Sequence, residues 1–234
     1  MSYRFESRIR YSEIGENGCL TLPALLDYFQ DCGTFQSEDI GQGMDALKKR
    51  NRAWVLAAWQ IVVSRYPRLG EEIVTVTAPY DFHGVMGMRN YYMETKAGEC
   101  LAWANTFWTN FDTRVQMPAR ITSEDTRGYD LEEKLEMDYA PRKIRLPDQW
   151  TQKEPFVVQK HHLDTNHHVN NVQYIRMAED YLPDGFIIHQ MRAEYKAQAR
   201  LHDEIRPAVN LQEDQVTVLL GNREESPYAI VEFK

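Results

Sequence analysis

The chain repeats one order of elements twice, and this repetition restricts its fold more than any other feature of the sequence. In each half a strand-like segment precedes one long helical segment, and four strand-like segments follow. The copies are offset by about 150 residues, so the halves look like one unit used twice. One helix wrapped by an antiparallel sheet fits this order, and we predict an α+β fold of two similar halves.

The first half has its helix at Leu20–Asp39, where apolar residues recur at helical spacing. Pro23 is tolerated only in the first helical turn, so the helix is expected to begin near Thr21. The strands of this half are predicted at residues 3–12, 53–65, 71–82, 86–95 and 100–111.

The second half repeats this pattern after a charged, proline-containing connection. Its helix is predicted at Val169–Tyr181, and its strands at residues 155–162, 186–197, 204–211, 215–220 and 228–233. Residues 113–150 break the strand pattern, with one short helix expected around Leu131. We therefore predict an N-terminal domain at 1–115, a linker at 116–150 and a C-terminal domain at 151–234.

A dense group of polar side chains stands directly in front of the second helix. Asp164, Asn166 and His168 alternate, so an extended backbone would direct all three to the same side. Together they can supply a base or nucleophile, an orienting amide and a proton shuttle. Two structural interpretations stay open: Asp and Asn before a helix often form turns, and a histidine often bonds a backbone group.

The start of the second helix offers a matching site for negative charge. Asn170 or Asn171 is placed to cap this helix. Backbone N–H groups at a helix start favour anions, and those around Val169 and Asn170 are candidates for an oxyanion site.

The first half lacks the polar triad of the second. At an offset of about 150 residues, Ile14, Glu16 and Gly18 stand opposite it. We therefore assign the chemistry to the second half and a shaping role to the first.

Neither the cysteines nor the histidines predict a metal site. The cysteines are odd in number and lack metal-ligand spacing, which favours buried thiols in a reducing compartment: Cys19, Cys32 and Cys100. The clustered histidines lack an H-x-x-x-H pair or a cysteine partner: His161, His162, His167 and His168. We predict no metal and no cofactor.

Charge and hydropathy exclude further classes of protein. The net charge of −8 argues against general nucleic-acid binding. No run approaches the ~20 apolar residues of a membrane helix. The N-terminus lacks the apolar region of a signal peptide, and we expect a cytoplasmic protein that starts within its first strand.

The string D-x-N-x-H-V-N-N-x-x-Y, from Asp164 to Tyr174, resembles the active-site motif of the acyl-acyl carrier protein thioesterases. The resemblance implies a tandem hot-dog fold, in which each half is a long central helix wrapped by an antiparallel sheet. It implies hydrolysis of a fatty acyl thioester, with Asp164 as catalytic carboxylate positioned by Asn166 and His168. It also implies that the first half shapes the pocket for the acyl chain.

The sequence departs from this family at a second motif. The family carries Y-R-R-E-C, whereas this chain reads Y-K-A-Q-A from Tyr195 to Ala199. Gln198 stands at the glutamate and Ala199 at the cysteine. A cysteine nucleophile is therefore excluded at this position, while Gln198 can still orient a water by hydrogen bonding.

The resemblance names a partner, and it leaves alternatives open. The expected partner is an acyl carrier protein bearing a fatty acyl-phosphopantetheine, whose acidic surface would meet Lys48–Arg52 or Arg142–Arg145. A homodimer is compatible with the sequence. The alternatives are an acyl-coenzyme A thioesterase of the same fold, a hot-dog dehydratase and a non-catalytic acyl-binding protein.

Overall fold

Each half of the chain folds as one long helix packed against an antiparallel sheet, so the predicted α+β arrangement is confirmed. The computed structural model describes residues 2–224 and 226–234. The chain divides into two units. The first holds residues up to Ala57 together with Ile61–Tyr139, and the second holds Ala58–Gln60 and Ala140–Lys234.

The first unit contains six strands and two helices within its described residues. In chain order they are β1 (Tyr3–Arg8), α1 (Leu22–Asp39), α2 (Met44–Lys49), β2 (Arg52–Val63), β3 (Glu72–His83), β4 (Met86–Thr95), β5 (Cys100–Asp112) and β6 (Met117–Pro118). The sheet order is β1-β3-β4-β5-β2, with β6 against β5. The pairs β1/β3, β3/β4, β4/β5 and β5/β6 are antiparallel.

Helix α1 begins where its capping residue and proline predict. Thr21 is the N-cap, its Oγ1 accepts from the N–H of Ala24 at 3.3 Å, and Pro23 lies in the first turn. A Cβ at Gly33 would lie 2.7 Å from the Tyr91 hydroxyl, so glycine lets the helix approach the sheet closely. The inward face is fully buried at Leu25, Leu26, Phe29 and Cys32.

The second unit repeats this design with a shorter helix. Its elements are β7 (Thr151–Gln152), β8 (Phe156–Val157), α3 (Asn171–Glu179), β9 (Gln190–Tyr195), β10 (Glu204–Leu211), β11 (Val216–Gly221) and β12 (Pro227–Phe233). The sheet order is β9-β12-β11-β10-β7, with β8 against β10, and each of these pairs is antiparallel. Helix α3 packs on β11 and β12.

Local structure differs from the sequence predictions at several places. The strand predicted at 186–197 begins only at Gln190, and the strand predicted at 3–12 ends at Arg8. The short strands β6 and β7 were not predicted.

Helix α2 was not predicted, although Asp45 in its first turn and Lys48 and Lys49 in its last suit the helix dipole. The helix expected around Leu131 is absent, because this segment bonds to the sheet instead, as where the N–H of Leu135 donates to Asn90 Oδ1 at 3.2 Å. The predicted strand at 155–162 shortens to β8 and a 3₁₀ turn.

The connection between the halves is shared by the two units. Residues up to Tyr139 belong to the first, and those from Ala140 to the second. In the second unit, the guanidinium of Arg192 donates to the carbonyls of Pro141 and Lys143, and the N–H of Ile144 donates to Glu194 Oε2 at 3.2 Å. Among the described residues, no helix is long and apolar enough to span a bilayer.

Glu179, at the end of α3, is expected to make stability depend on pH. Burial raises the pKa of its carboxyl from 4.5 to about 7. Because the folded pKa lies above the unfolded value, the folded state holds the proton more tightly, and stability falls as pH rises through this window. Glu179→Gln should therefore raise the free energy of unfolding by about 1–2 kcal/mol at pH 8, a value discounted for partial exposure, and change it little at pH 4.

Urea unfolding at both pH values measures this effect. The exposed Glu213 supplies the control, because Glu213→Gln should change stability little at either pH. Equal effects of Glu179→Gln at pH 4 and pH 8 would contradict the assignment.

Candidate active site

The segment in front of α3 is a tight turn rather than an extended strand. Leu163 pairs with Val169 in an antiparallel bridge, and the N–H of Asp164 donates to the carbonyl of His168 at 2.8 Å. The N–H of His167 returns to the carbonyl of Asp164 at 3.1 Å, and His167 has a φ of 61°. The predicted extended alternation is therefore wrong, because the backbone reverses direction within the motif.

The Asp164 carboxylate is fixed to this turn by one of its oxygens. Oδ1 accepts from the N–H of Asn166 at 2.8 Å and from the N–H of His168 at 3.2 Å. Oδ2 accepts no hydrogen bond from any described residue. One oxygen thus orients the group and the other stays open to a substrate or water.

The other two members of the triad share the turn but make no side-chain hydrogen bond to Asp164 within the described chain. Asn166 is exposed and His168 is partly buried. Burial lowers the pKa of His168 below its usual 6.5, the positive charge of Arg200 lowers it further, and Asp164 opposes the shift. The imidazole is therefore neutral at pH 7 and able to accept a proton.

The segment that carries Gln198 lies directly beside the turn. The N–H of Val169 donates to the carbonyl of Ala199 at 2.9 Å, and His168 pairs with Arg200. The structure thus joins the two motifs, although about 30 positions separate them in sequence. Gln198 is exposed, so its amide is open to solvent.

The N–H groups assigned to an oxyanion site are already used. Val169 donates to Ala199, and the N–H of Asn170 donates to the carbonyl of His162 at 2.9 Å. That prediction is wrong, because tertiary hydrogen bonds occupy both donors. Asn170 is instead the N-cap, and its Oδ1 accepts from the N–H of Val172 at 2.8 Å. Of the first-turn donors in this described segment, the N–H of Asn171 is left open.

His162, which lies before the turn, has a structural role here. His162 Nδ1 accepts from the N–H of Gln159 at 3.0 Å, and its ring lies 4.2 Å from the ring of His161. Within residues 2–224 and 226–234 no group of three or more His, Cys, Asp or Glu side chains is arranged to hold a metal ion.

The first unit contains the same turn, but the two copies are offset by one residue less than the sequence predicted. Leu22 and Asn171 open the two helices 149 positions apart (171 − 22). Gly15, Asn17 and Cys19 therefore match the triad, and the predicted matches at Ile14, Glu16 and Gly18 are wrong. The asparagine is kept in both copies, while the carboxylate belongs to the second alone.

Sequence reasoning missed a layer of tyrosines beneath the turn. Tyr174 Oη accepts from the N–H of Ala199 at 2.9 Å, and Tyr195 Oη donates to the carbonyl of Asn171 at 3.0 Å. Tyr228 Oη contacts Asp203 Oδ2 at 3.3 Å. Two of the three tyrosines could have been found from the sequence, because Tyr174 is the last residue of the first motif and Tyr195 is the first residue of the second.

The three cysteines lie outside this site, so their replacement is expected to leave turnover intact. Cys19 is in the first unit's turn, Cys100 is on β5, and Cys32 is buried in α1, where burial raises its pKa to about 12. We expect the triple Cys→Ser variant to keep its kcat within about twofold and to lose stability mainly at the buried Cys32 position. Complete loss of turnover in a folded variant would contradict this prediction.

Models of a known protein family match both halves of the chain. The model of the acyl-ACP thioesterase N-terminal domain matches residues 1–129, and that of the C-terminal domain matches residues 146–229. A chloroplastic palmitoyl-acyl carrier protein thioesterase of Gossypium hirsutum is 26% identical over 182 residues, which cover 71% of this chain and 44% of that protein. A protein of the same description from Arabidopsis thaliana is 26% identical over 213 residues, covering 83% and 51%. The chain thus spans about half the length of these curated relatives.

Solved structures share the fold. An acyl-ACP thioesterase from Bacteroides thetaiotaomicron superposes with a TM-score of 0.89 at 20% identity, covering 98% of this chain and 96% of that one. A 12:0-ACP thioesterase from Umbellularia californica gives a TM-score of 0.88 at 18% identity, covering 100% and 96%. The tandem hot-dog fold expected from the sequence is confirmed.

Proposed function

This chain belongs to the acyl-ACP thioesterase family, and from that premise we propose that it hydrolyses the thioester joining a fatty acyl chain to acyl carrier protein. The observation that carries the proposal is the Asp164 carboxylate, held through Oδ1 by two backbone N–H groups with Oδ2 left open. The second unit is then the catalytic half, and the first shapes the acyl pocket with α1.

Two routes use the open Oδ2. In the first, Oδ2 removes a proton from water, and the hydroxide attacks the thioester carbonyl carbon. In the second, Oδ2 attacks that carbon itself, and water later cleaves the resulting anhydride. Both routes break the C–S bond and leave the fatty acid and the phosphopantetheine thiol.

The neighbouring residues take roles that suit their chemistry. The neutral imidazole of His168 carries a proton between water and the leaving thiolate. Asn166 and Gln198, both exposed, orient the attacking water through their amides. The open N–H of Asn171 is the remaining helix-start donor for the carbonyl oxygen that becomes negative.

A turnover assay on the purified protein tests this function. The substrates are acyl carrier proteins loaded with several acyl chain lengths, and the same acyl groups on coenzyme A. Release of fatty acid from the carrier protein is the expected result. Activity on coenzyme A alone would make the protein an acyl-coenzyme A thioesterase, and binding of the acyl substrates without turnover of either would make it an acyl-binding protein.

Of the two basic segments, Lys48–Arg52 has fewer positive side chains available to bind an acidic carrier protein than Arg142–Arg145. Arg50 and Arg52 are used inside the first unit, where Arg50 donates to the Glu124 carbonyl at 2.9 Å and Arg52 donates to Asp112 at 2.7 Å. Within the described residues, only Lys48 and Lys49 of that segment are exposed and make no ion pair.

The second segment keeps all of its positive side chains in solvent. Arg142, Lys143 and Arg145 are exposed and have no ion pair within the described chain. The backbone of this segment is anchored to the second unit, because Arg192 donates to the Lys143 carbonyl and Glu194 accepts from the N–H of Ile144. We propose this segment as the docking surface for the acidic carrier protein.

Charge reversal at this segment is expected to weaken substrate binding. The triple variant Arg142→Glu, Lys143→Glu and Arg145→Glu should raise KM for acyl carrier protein about tenfold at low salt, because electrostatic steering is lost. The kcat at saturation should stay unchanged. Lys48→Glu with Lys49→Glu is the control, and an equal rise in KM there would contradict the assignment.

The cellular and assembly predictions rest on the sequence alone. We propose a cytoplasmic location and leave a homodimer as the assembly to test by light scattering.

A further inference from the structure

The two units build the same turn with the same backbone hydrogen bonds. The N–H of Val169 donates to the Ala199 carbonyl at 2.9 Å, and the N–H of Leu20 donates to the Pro67 carbonyl at 2.8 Å. Ala199 and Pro67 are therefore equivalent positions. Any side chain that differs between the copies is not needed to form the turn.

The fourth residue of each helix shows such a difference. It is Tyr174 in α3 and Leu25 in α1, and these side chains are 2% and 1% exposed. The Tyr174 hydroxyl accepts from the N–H of Ala199 at 2.9 Å. Its counterpart, Pro67, has no N–H to donate. The tyrosine hydroxyl thus occurs in the second unit, where Ala199 has an N–H to donate to it, and is missing from the first unit, where Pro67 has none.

A second tyrosine replaces a leucine in the neighbouring strand. The N–H of Lys196 donates to the Tyr228 carbonyl at 2.8 Å, and the N–H of Ser64 donates to the Leu101 carbonyl at 2.9 Å. Tyr228 and Leu101 are therefore equivalent. The Tyr228 hydroxyl lies 3.3 Å from Asp203 Oδ2.

The third tyrosine lies at the end of β9. Tyr195 directly precedes Lys196 as Val63 directly precedes Ser64, so these positions also correspond. The Tyr195 hydroxyl donates to the carbonyl of Asn171, the first residue of α3, at 3.0 Å. Three apolar positions of the first unit thus carry hydroxyls in the second.

These hydroxyls join the segments that surround Asp164. One holds residues 198–200, one holds the helix start at Asn171, and one reaches Asp203, whose Oδ2 also accepts from the N–H of Arg200 at 2.8 Å. The equivalent turn of the first unit forms with leucine or valine at these positions, so the backbone turn does not require the hydroxyls.

We propose that Tyr174, Tyr195 and Tyr228 are positioning residues for thioester hydrolysis. Their hydroxyls set the distance between the Asp164 turn, the start of α3 and the Gln198 segment, and so hold the reacting groups in productive geometry. This proposal rests on the function proposed above.

Tyrosine-to-phenylalanine variants at the three positions test the proposal. The triple variant should lose about tenfold to hundredfold in kcat, because displacement of reacting groups by about an ångström has effects of that size. Its KM should change by less than about twofold, since the substrate contacts are kept. Tyr80→Phe, on β3 of the first unit, is the control: the half-buried Tyr80 hydroxyl donates to Asn105 Oδ1 at 2.8 Å, and its loss should leave kcat unchanged.

A double-mutant cycle isolates the Tyr174 contact. Ala199→Pro removes the N–H, as Pro67 shows the turn can accept. If Tyr174 acts through that N–H, Tyr174→Phe should lower kcat in the wild-type background and have no further effect in Ala199→Pro. The same loss in both backgrounds would overturn the proposed contact, and a kcat loss that only follows the unfolded fraction would overturn positioning altogether.

Amide hydrogen exchange separates this proposal from the proposed function. In the triple variant, amides of residues 164–171 and 198–200 should exchange at least about tenfold faster, while amides of the first unit keep their exchange rates. If the wild-type protein shows no turnover, the proposed function is refuted. If the triple variant shows unchanged exchange at these amides, the positioning role is refuted, whether or not the wild-type protein is active.

Discussion

Asp164→Asn is expected to abolish hydrolysis while leaving the fold intact. The amide keeps an oxygen that can accept from the N–H groups of Asn166 and His168, so the turn persists. It cannot take a proton at neutral pH and is a poor nucleophile, so both proposed routes stop. We expect kcat to fall by about 10²–10⁴-fold or more.

Two further variants separate chemistry from structure. Asp180→Asn changes an exposed carboxylate beyond α3 and should keep full turnover. Asp164→Ala removes the acceptor as well, and should cost about 1 kcal/mol of stability besides activity. A folded Asp164→Asn protein that retains more than about a tenth of wild-type kcat would make the carboxylate structural. The mechanism would then have to centre on His168.

Among the variants proposed for this protein, Glu232→Ala is expected to lower the free energy of unfolding most. Glu232 and Arg192 are 5% and 9% exposed, and Arg192 Nη1 donates to Glu232 Oε1 at 3.0 Å. Removing the carboxylate leaves a buried guanidinium without its main counter-charge, although Arg192 still donates to two carbonyls. We expect a loss of about 3–5 kcal/mol in the free energy of unfolding.

Urea unfolding with a surface control tests this expectation. Arg223→Ala breaks an ion pair to Glu204 at 2.9 Å, but the arginine side chain is 74% exposed, so the loss should stay below about 1 kcal/mol. The pair Arg192→Met with Glu232→Leu should recover much of the stability, because no charge is then left buried. A Glu232→Ala protein as stable as the surface control would contradict the prediction.

The fold class and the helix starts could be predicted because they depend on neighbouring residues. Apolar spacing of 3.6 residues identified α1, and Thr21 and Pro23 located its first turn. Asn170 caps α3 by the same local rule. The strand-like runs at 71–82 and 100–111 correspond to β3 and β5 in the structure.

The failed predictions concern segments in which local patterns allow two structures. Alternation at Asp164, Asn166 and His168 fits a strand or a turn equally well, and the carboxylate's bonds to two backbone N–H groups select the turn. The charge run around Leu131 has helical composition, yet its backbone bonds to the sheet. The predicted register of the two copies was wrong by one residue, because the predicted offset is about 150 whereas the caps Thr21 and Asn170 lie 149 positions apart (170 − 21).

The sequence by itself determined which chemical groups this protein has and that one short segment before the second helix carries Asp164, Asn166 and His168. Only the tertiary structure decided which hydrogen-bonding groups around this segment are left unpaired. The N–H of Val169 is used by Ala199, a residue about 30 positions away, and the Tyr174 hydroxyl finds its donor at the same residue. A hydrogen-bonding group is available to a substrate only if the folded chain leaves it unpaired, and its partners are set by contacts between segments far apart in sequence.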